Sequence, residues 1–158
     1  MKPLHHFRQD DSGAALVEFA VVLPMLILLF AMAVEGGRTF WAYQTTVAGL
    51  RDAARQLSRM ADPQDCSASA VSKYNATLAD ILRKTSDGKA IFAPTIRIEN
   101  VAATLLSCGS AGYRGKAAIA KVSANLAIDY PFKSLFQIVG LQVSDLKTSI
   151  STQARILG

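Results

Sequence analysis

One carboxylate stands alone in the most apolar part of this chain. Between Ala14 and Val34 the only charged residue is Glu18. A charged side chain at the centre of a membrane-spanning helix costs about 2.5–3.5 kcal/mol on insertion scales, and such residues usually have a partner or a function. Glu18 lies near the start of the apolar run, so its carboxylate could instead snorkel to the lipid headgroups. The central question is therefore which positive group meets this carboxylate.

One such group would arise if the chain were cut after Gly13. Cleavage there would leave a free α-amine on Ala14, four residues and about one helical turn before Glu18. In an assembly of parallel copies, this amine could pair with Glu18 of a neighbouring subunit, because a buried charge is costly unless it is paired. Glycine suits a protease cleft, since its unhindered backbone extends easily. The alternative is that Gly13 only marks the start of a helix.

The apolar segment is long enough to cross a bilayer. From Ala14 to Val34 it has 21 residues, which at about 1.5 Å per residue cover the roughly 30 Å hydrocarbon core. Pro24 lies inside it and predicts a kink near residues 20–24. A removable signal peptide is the competing interpretation, but its apolar core is shorter, and the sequence after Val34 has no small-residue cleavage site.

The distribution of charged residues indicates neither the orientation of this segment in a membrane nor a role in nucleic-acid binding. Lys and Arg occur on both sides of the apolar run, so the positive-inside rule does not place the N-terminus. The net charge is +5, but the basic residues are scattered and are not interleaved with aromatic residues. We therefore predict no nucleic-acid binding.

The two cysteines, Cys66 and Cys108, lie in stretches that are typical of loops. In an oxidising compartment they would form one disulfide, which is worth about 3–4 kcal/mol on the loop-entropy model. The alternative is two unrelated buried thiols. Both histidines, His5 and His6, lie in the N-terminal tail far from the cysteines. We accordingly predict no metal site and no cofactor.

Motifs for catalysis are weak. Asp10 and Asp11 are adjacent and would point apart, and the glycine-rich stretch 109–112 lacks the Lys-Ser/Thr ending of a phosphate loop. No pattern of nucleophile and base is recognisable. We therefore predict that the chain is not an enzyme.

Helical periodicity resumes after the apolar segment. One apolar stripe recurs every three or four residues and predicts a helix that ends by Ala61, because Pro63 follows. Trp41 and Tyr43 fit an aromatic belt at the membrane surface, or contacts with a partner. The residues of the predicted stripe are Phe40, Tyr43, Val47, Leu50, Ala54 and Leu57.

The rest of the chain predicts a second helix and three strands. The helix covers residues 67–85, and the alternating strands cover residues 95–99, 122–130 and 146–156. Residues 135–143 are interpreted as core or a strand, and residues 109–115 as a loop. The predicted fold class is α+β, with a small antiparallel sheet packed on the long helix.

Several short motifs together resemble the TadE-like family of tight-adherence (Flp/Tad) pilus pseudopilins, and the first of them resembles the cleavage signal of type IV prepilins. They are Gly-Ala-Ala-Leu-Val-Glu-Phe-Ala-Val-Val-Leu-Pro at 13–24, Glu-Gly-Gly-Arg at 35–38, Phe-Trp-Ala-Tyr-Gln at 40–44 and Ala-Ala-Arg at 53–55. The resemblance implies a pilin-like fold and removal of a leader after Gly13 by a prepilin peptidase. It also implies that Glu18 and Phe19 guide assembly, although Phe19 lacks the hydroxyl of the tyrosine often found there.

The expected protein is a single-pass inner-membrane pseudopilin with a cytoplasmic N-terminus. Residues 1–13 would be the leader, 14–60 the membrane and amphipathic helix, and 61–158 an α+β domain outside the cytoplasm. Its expected partners are the peptidase, other pilus subunits, assembly-platform proteins and the lipid bilayer. The alternatives are an uncleaved, membrane-tethered binding module and a small membrane-anchored enzyme.

Overall fold

A single helix dominates the structure. The computed structural model describes residues 12–62, 66–108 and 118–156. Helix α1, Ser12–Met60, has 49 residues and a length of about 73 Å at 1.5 Å per residue. It begins two residues before Ala14 and continues through Pro24 and the glycine pair at 36–37. The prediction of one continuous rod is confirmed.

Three antiparallel strands form one sheet in the order β1-β2-β3. Their bounds are Ile96–Ser107 for β1, Ile119–Ile128 for β2 and Leu146–Arg155 for β3. The alternation predicted for β2 and β3 is confirmed, because every second residue of β2 from Ala120 to Ile128 is buried.

Strand β1 is much longer than the predicted segment 95–99. The pairing of β1 with β2 shifts between Glu99 and Ala102, and Asn100 between them has a positive φ of 49°. An extra residue in one strand reverses the side-chain alternation beyond it. The period-two pattern therefore breaks at Asn100 although the strand continues.

The predicted second helix is split into two. Helix α2 is Ser69–Ser72 and helix α3 is Asn75–Arg83. At the break, the Tyr74 hydroxyl donates to the Met60 carbonyl at 2.6 Å. The Asn75 carboxamide oxygen accepts the Ala103 amide at 2.8 Å. These bonds to α1 and β1 favour the break, which apolar periodicity alone does not reveal.

The prediction of core or strand for residues 135–143 is wrong for all but one described side chain. Helix α4, Lys133–Ile138, occupies the start of this segment, and only Phe136 is buried. Ile138, Val139 and Leu141 are exposed. A turn follows in which Gly140 has a φ of 80°, a conformation that glycine adopts without steric cost. The predicted loop 109–115 lies outside the described residues.

The C-terminal half of α1 packs with α3 against the sheet. The buried face of α1 only partly matches the predicted stripe: Leu50, Ala54 and Leu57 are buried, but Phe40 and Tyr43 are exposed. The other buried residues of this face have small side chains, namely Ala42, Thr46 and Ala53. The periodic pattern identified the larger apolar residues as the stripe. The other buried residues are smaller, because small side chains allow the sheet to lie close to the helix.

Candidate functional site

The N-terminal half of α1 extends from the domain with its apolar side chains exposed. Its most apolar 18-residue window has a mean hydropathy of 2.6, and only 6% of that window is buried. A core helix of a soluble protein would have most of this surface covered. Among the described residues this is the one helix long and apolar enough to cross a membrane. Its exposure fits a single-pass anchor.

Glu18 lies on this exposed part of α1. The helical geometry places it one turn after Ala14, and Gly13, Ala14 and Phe19 are exposed as well. Within the described residues no cation forms an ion pair with its carboxylate. Gly13 lies in the first turn of α1 rather than before the helix. Any group that pairs with Glu18 would therefore lie outside the described residues.

A second carboxylate, Glu35, is buried at the outer end of the apolar segment. Its side chain accepts two hydrogen bonds, one from the Arg38 guanidinium and one from the backbone amide of Phe132, both at 3.0 Å. The first of these bonds joins two positions on α1, and the second joins α1 to the residue that precedes α4. Glu35 therefore joins the helix to the domain close to the end of the apolar segment.

Arg38 extends this contact to the segment before β1. Its guanidinium also donates to the Thr95 hydroxyl, one residue before β1. The Thr39 hydroxyl donates to the Glu35 carbonyl at 2.8 Å and lies 3.4 Å from the Tyr130 hydroxyl. We call the polar cluster formed by Glu35, Arg38, Thr95 and Phe132 the junction.

Sequence reasoning did not assign the junction a function. In the sequence, Glu35 and Arg38 stand out only as part of a motif that resembles the TadE-like family. The available signal was an acidic and a basic residue three positions apart, directly after an apolar run. Such pairs meet on one helix face, but their tertiary partners lie 57 and 97 residues away along the chain.

An apolar groove of about 940 Å³ opens beside the junction. On the α1 side it is lined by Met32, Phe40 and Tyr43, and on the domain side by Phe136 and Leu141. The groove thus reaches from inside the apolar segment to about two turns beyond it. Its lining comes from both the helix and the α4 region.

A further exposed aromatic residue, Trp41, has an intramolecular contact. Its ring meets the Phe92 ring edge-to-face, with centroids 5.6 Å apart. This contact, like the Arg38–Thr95 bond, holds the segment before β1 against α1. Trp41 and Tyr43 remain about half exposed, so their assignment to an aromatic belt stays a prediction.

An exposed ion pair lies at the start of β1, close to the junction. The Arg97 guanidinium donates to both carboxylate oxygens of Asp129, which follows β2. Hydrogen bonding from Arg97 lowers the pKa of Asp129 below its ordinary value, and the same bond raises the pKa of Arg97. The backbone amide of Asp129 also donates to the Thr95 carbonyl at 2.8 Å.

A disulfide joins Cys66 and Cys108, as predicted. The disulfide thus joins one end of β1 to the segment that follows α1. At the other end of β1, Thr95 is bonded to Arg38 of α1, which belongs to the junction. A disulfide is typical of a domain that matures in an oxidising compartment.

Comparison with known proteins yields one match. A family model described as TadE-like protein matches residues 13–55, whereas no curated protein and no solved structure matches the chain. The matched part includes Gly13, Glu18, Glu35 and Arg38, and it ends within α1. The sheet, the disulfide and α4 lie outside it. The resemblance seen in the sequence is thereby confirmed for this segment: residues 13–55 are similar to the TadE-like family.

Proposed function

We propose that this protein is a minor pseudopilin that assists the assembly of a tight-adherence (Flp/Tad) type IV pilus. The observation that carries the proposal is an exposed apolar helix with a single carboxylate near its head, within a TadE-like segment. The role is structural rather than enzymatic. In this proposal residues 14–34 lie in the inner membrane and residues 61–158 form the domain outside the cytoplasm.

Processing after Gly13 creates the group that Glu18 needs. A prepilin peptidase removes residues 1–13 and leaves the α-amine of Ala14 free. This amine pairs with Glu18 of an adjacent pilus subunit, or Glu18 of this chain pairs with the amine of that subunit. Subunits displaced along the helix axis would leave both charges buried without a partner, which is strongly unfavourable. The uncleaved chain lacks the amine, so cleavage becomes a condition for assembly.

The position of Gly13 in α1 adds a requirement to this step. A protease cleft accepts an extended backbone, so the first turn of the helix must unwind before cleavage. The first amides of a helix have no intrahelical partner, and helix ends fray readily. Glycine lowers the cost further, because it is the poorest helix former apart from proline.

The disulfide supports the proposed orientation. It lies on the C-terminal side of the apolar segment, and disulfides persist outside the reducing cytoplasm. The N-terminus then remains on the cytoplasmic side of the inner membrane. Assembly-platform proteins and other pilus subunits are the partners that this arrangement would meet.

The direct test is the N-terminus of the mature chain. The full-length protein is expressed with a type IV prepilin peptidase, and membranes are analysed by intact mass and N-terminal sequencing. We expect a chain that begins at Ala14, and a Gly13→Leu variant that retains Met1. Gly37→Leu is the matched control, because Gly37 is an exposed glycine of the same helix with open space beside it; this variant is cleaved normally.

Retention of residues 1–13 in the wild type would contradict the proposal. It would favour the alternative function of an uncleaved, membrane-tethered binding module. A wild-type chain recovered in the soluble fraction would exclude both functions, since both depend on the membrane anchor.

A further inference from the structure

Exposed large apolar side chains are concentrated in one short segment of the domain. Outside α1, the described residues include four such side chains, namely Leu106, Ile138, Val139 and Leu141. Three of them fall within residues 138–141, which we call the apolar turn, and Ile138 is 80% exposed. Contiguous exposed apolar surface marks a protein or membrane interaction site. The apolar turn therefore needs a partner.

One residue of the apolar turn, Leu141, lines the same groove as Met32, which belongs to the apolar segment of α1. Phe132, at the start of α4, is bonded to Glu35, the first residue after it. The element that carries the turn is thus attached to α1 at the level where the helix would leave the membrane.

The burial of Ala31 shows how far the domain reaches down the helix. Ala31 is 2% exposed, whereas its neighbours Phe30 and Met32 are 69% and 48% exposed. An alanine on a bare helix keeps more of its surface, and the adjacent Met32 lines the groove that α1 shares with the domain. Ala31 lies three residues before Val34, or about 4.5 Å inside the end of the apolar segment. Part of the domain therefore sits at the depth of the hydrocarbon boundary.

We propose that the apolar turn inserts into the outer interface of the lipid bilayer and forms a second membrane contact beside the span. The inference rests on the membrane anchoring in the proposed function. The headgroup region is about 5–8 Å thick on each side, and short apolar elements insert at the boundary between headgroups and acyl chains. Ile138, Val139 and Leu141 supply the inserted surface.

The bilayer is favoured over a second copy of the chain because of depth. In an anchored chain, the surface level with Ala31 and Met32 is surrounded by lipid on every side that the domain leaves open. Apolar side chains at that level are buried by lipid without any association between proteins. Two attachment points, the span and the turn, would then restrict how the domain tilts on its helix, which the junction already holds in place.

The test measures lipid contact at single positions. Full-length protein is reconstituted in phosphatidylethanolamine–phosphatidylglycerol vesicles that contain a nitroxide-labelled phospholipid. An NBD fluorophore is attached to one introduced cysteine, and the native cysteines do not react because they form the disulfide. The labelled variants are Ile138→Cys and Leu141→Cys in the turn, Leu26→Cys in the span and Leu106→Cys as the control.

Leu106 is the matched control because it is an exposed apolar residue, at 51%, far from the turn. It lies near the disulfide end of β1, roughly 35 Å along the strand from Thr95 at 3.3 Å per residue. We expect blue-shifted emission and several-fold stronger lipid quenching at Ile138 and Leu141 than at Leu106. The label at Leu26 should be quenched as a span position.

Three results would overturn the inference. Unquenched, water-like emission at both turn positions, with quenching at Leu26, would contradict the membrane contact and leave the anchor intact. A blue shift at the turn without lipid quenching, which disappears on dilution of the protein in lipid, would assign the surface to a second copy. Absence of quenching at Leu26 would contradict the anchor itself, and the proposed function with it.

Discussion

The carboxylate of Glu35 accepts a hydrogen bond from the backbone amide of Phe132 at 3.0 Å, across 97 residues of sequence. Glu35 is the first residue after the apolar segment, and Phe132 leads into the helix that carries the apolar turn. This contact joins that helix to α1 directly after the apolar segment. The domain is thus attached to α1 at this point and not only through its core.

Replacing Glu35 should loosen this attachment. Glu35→Ala leaves the Phe132 amide and the part-buried Arg38 without their acceptor, and an unsatisfied buried donor costs about 1–3 kcal/mol. We expect a loss of this size in the free energy of unfolding, measured by denaturation of the full chain in detergent. Glu35→Gln, which retains an acceptor, should lose less.

The control for Glu35 is Asp52→Ala. Asp52 pairs with Arg55 at the same spacing on the same helix, but both side chains are exposed. Exposed pairs of this kind contribute about 0.3–0.5 kcal/mol, so this variant should unfold almost as the wild type does. Equal losses for the two variants would show that burial of Glu35 contributes nothing.

Glu18 should matter for assembly but not for cleavage. In Glu18→Ala the terminal amine of a neighbouring subunit loses its buried partner, and breaking a buried pair costs about 3–5 kcal/mol. At about 1.4 kcal/mol per tenfold change, we expect a fall of at least about a hundredfold in the amount of cleaved chain crosslinked to other pilus subunits. N-terminal sequencing should still begin at Ala14. Normal crosslinking of Glu18→Ala would remove the proposed pairing.

The disulfide should contribute to the stability of the domain. Cys66 and Cys108 are 42 positions apart, and closing a loop of that length is worth about 3–4 kcal/mol on the chain-entropy model. A Cys66→Ser/Cys108→Ser double variant should lose that amount in the free energy of unfolding. Reducing agent should destabilise the wild type to the same level and leave the double variant unchanged. A wild type insensitive to reduction would contradict this role.

The Arg97–Asp129 pair predicts a contribution to stability that depends on pH. Hydrogen bonding from Arg97 holds the pKa of Asp129 below its ordinary value, which is about 3.9. Because the folded state has the lower pKa, the contribution is fully present above pH 4 and is lost as the pH falls through the folded pKa.

Asp129→Asn tests this dependence, since asparagine does not titrate. The difference in unfolding midpoint between wild type and variant should be constant from pH 7 to pH 5 and should shrink below pH 4. Asp80→Asn, which removes an exposed helical pair with Lys84, controls for acid effects on other carboxylates. A difference that does not change down to pH 2 would contradict the assignment to Asp129.

Patterns with a fixed local period were read correctly from the sequence. The apolar run and the stripe at Leu50, Ala54 and Leu57 predicted α1, and the alternation in β2 and β3 predicted two of the three strands. Each of these signals arises within one element, because the helix and the strand repeat every 3.6 and 2 residues. The resemblance over residues 13–55 likewise depends only on local motifs.

Features that need a distant partner were missed or misread. The predicted apolar stripe included Phe40 and Tyr43, yet the buried face of α1 at this level carries Ala42 and Thr46. The bulge at Asn100 interrupts the alternating pattern, so the sequence predicted only the first few residues of β1. The break before α3 follows from bonds to Met60 and Ala103, which lie on other elements.

The sequence by itself determined the long apolar helix, its lone carboxylate Glu18 and the glycine before it, because these depend on hydropathy and spacing along one helix. Only the tertiary structure decided that Glu35 is buried, that Arg38 reaches Thr95, and that Leu141 of the apolar turn lines one groove with Met32. Those relations join residues far apart in the chain. They exist only once the sheet has packed on α1, because packing brings the segment before β1 and the segment after β2 to the same level of the helix.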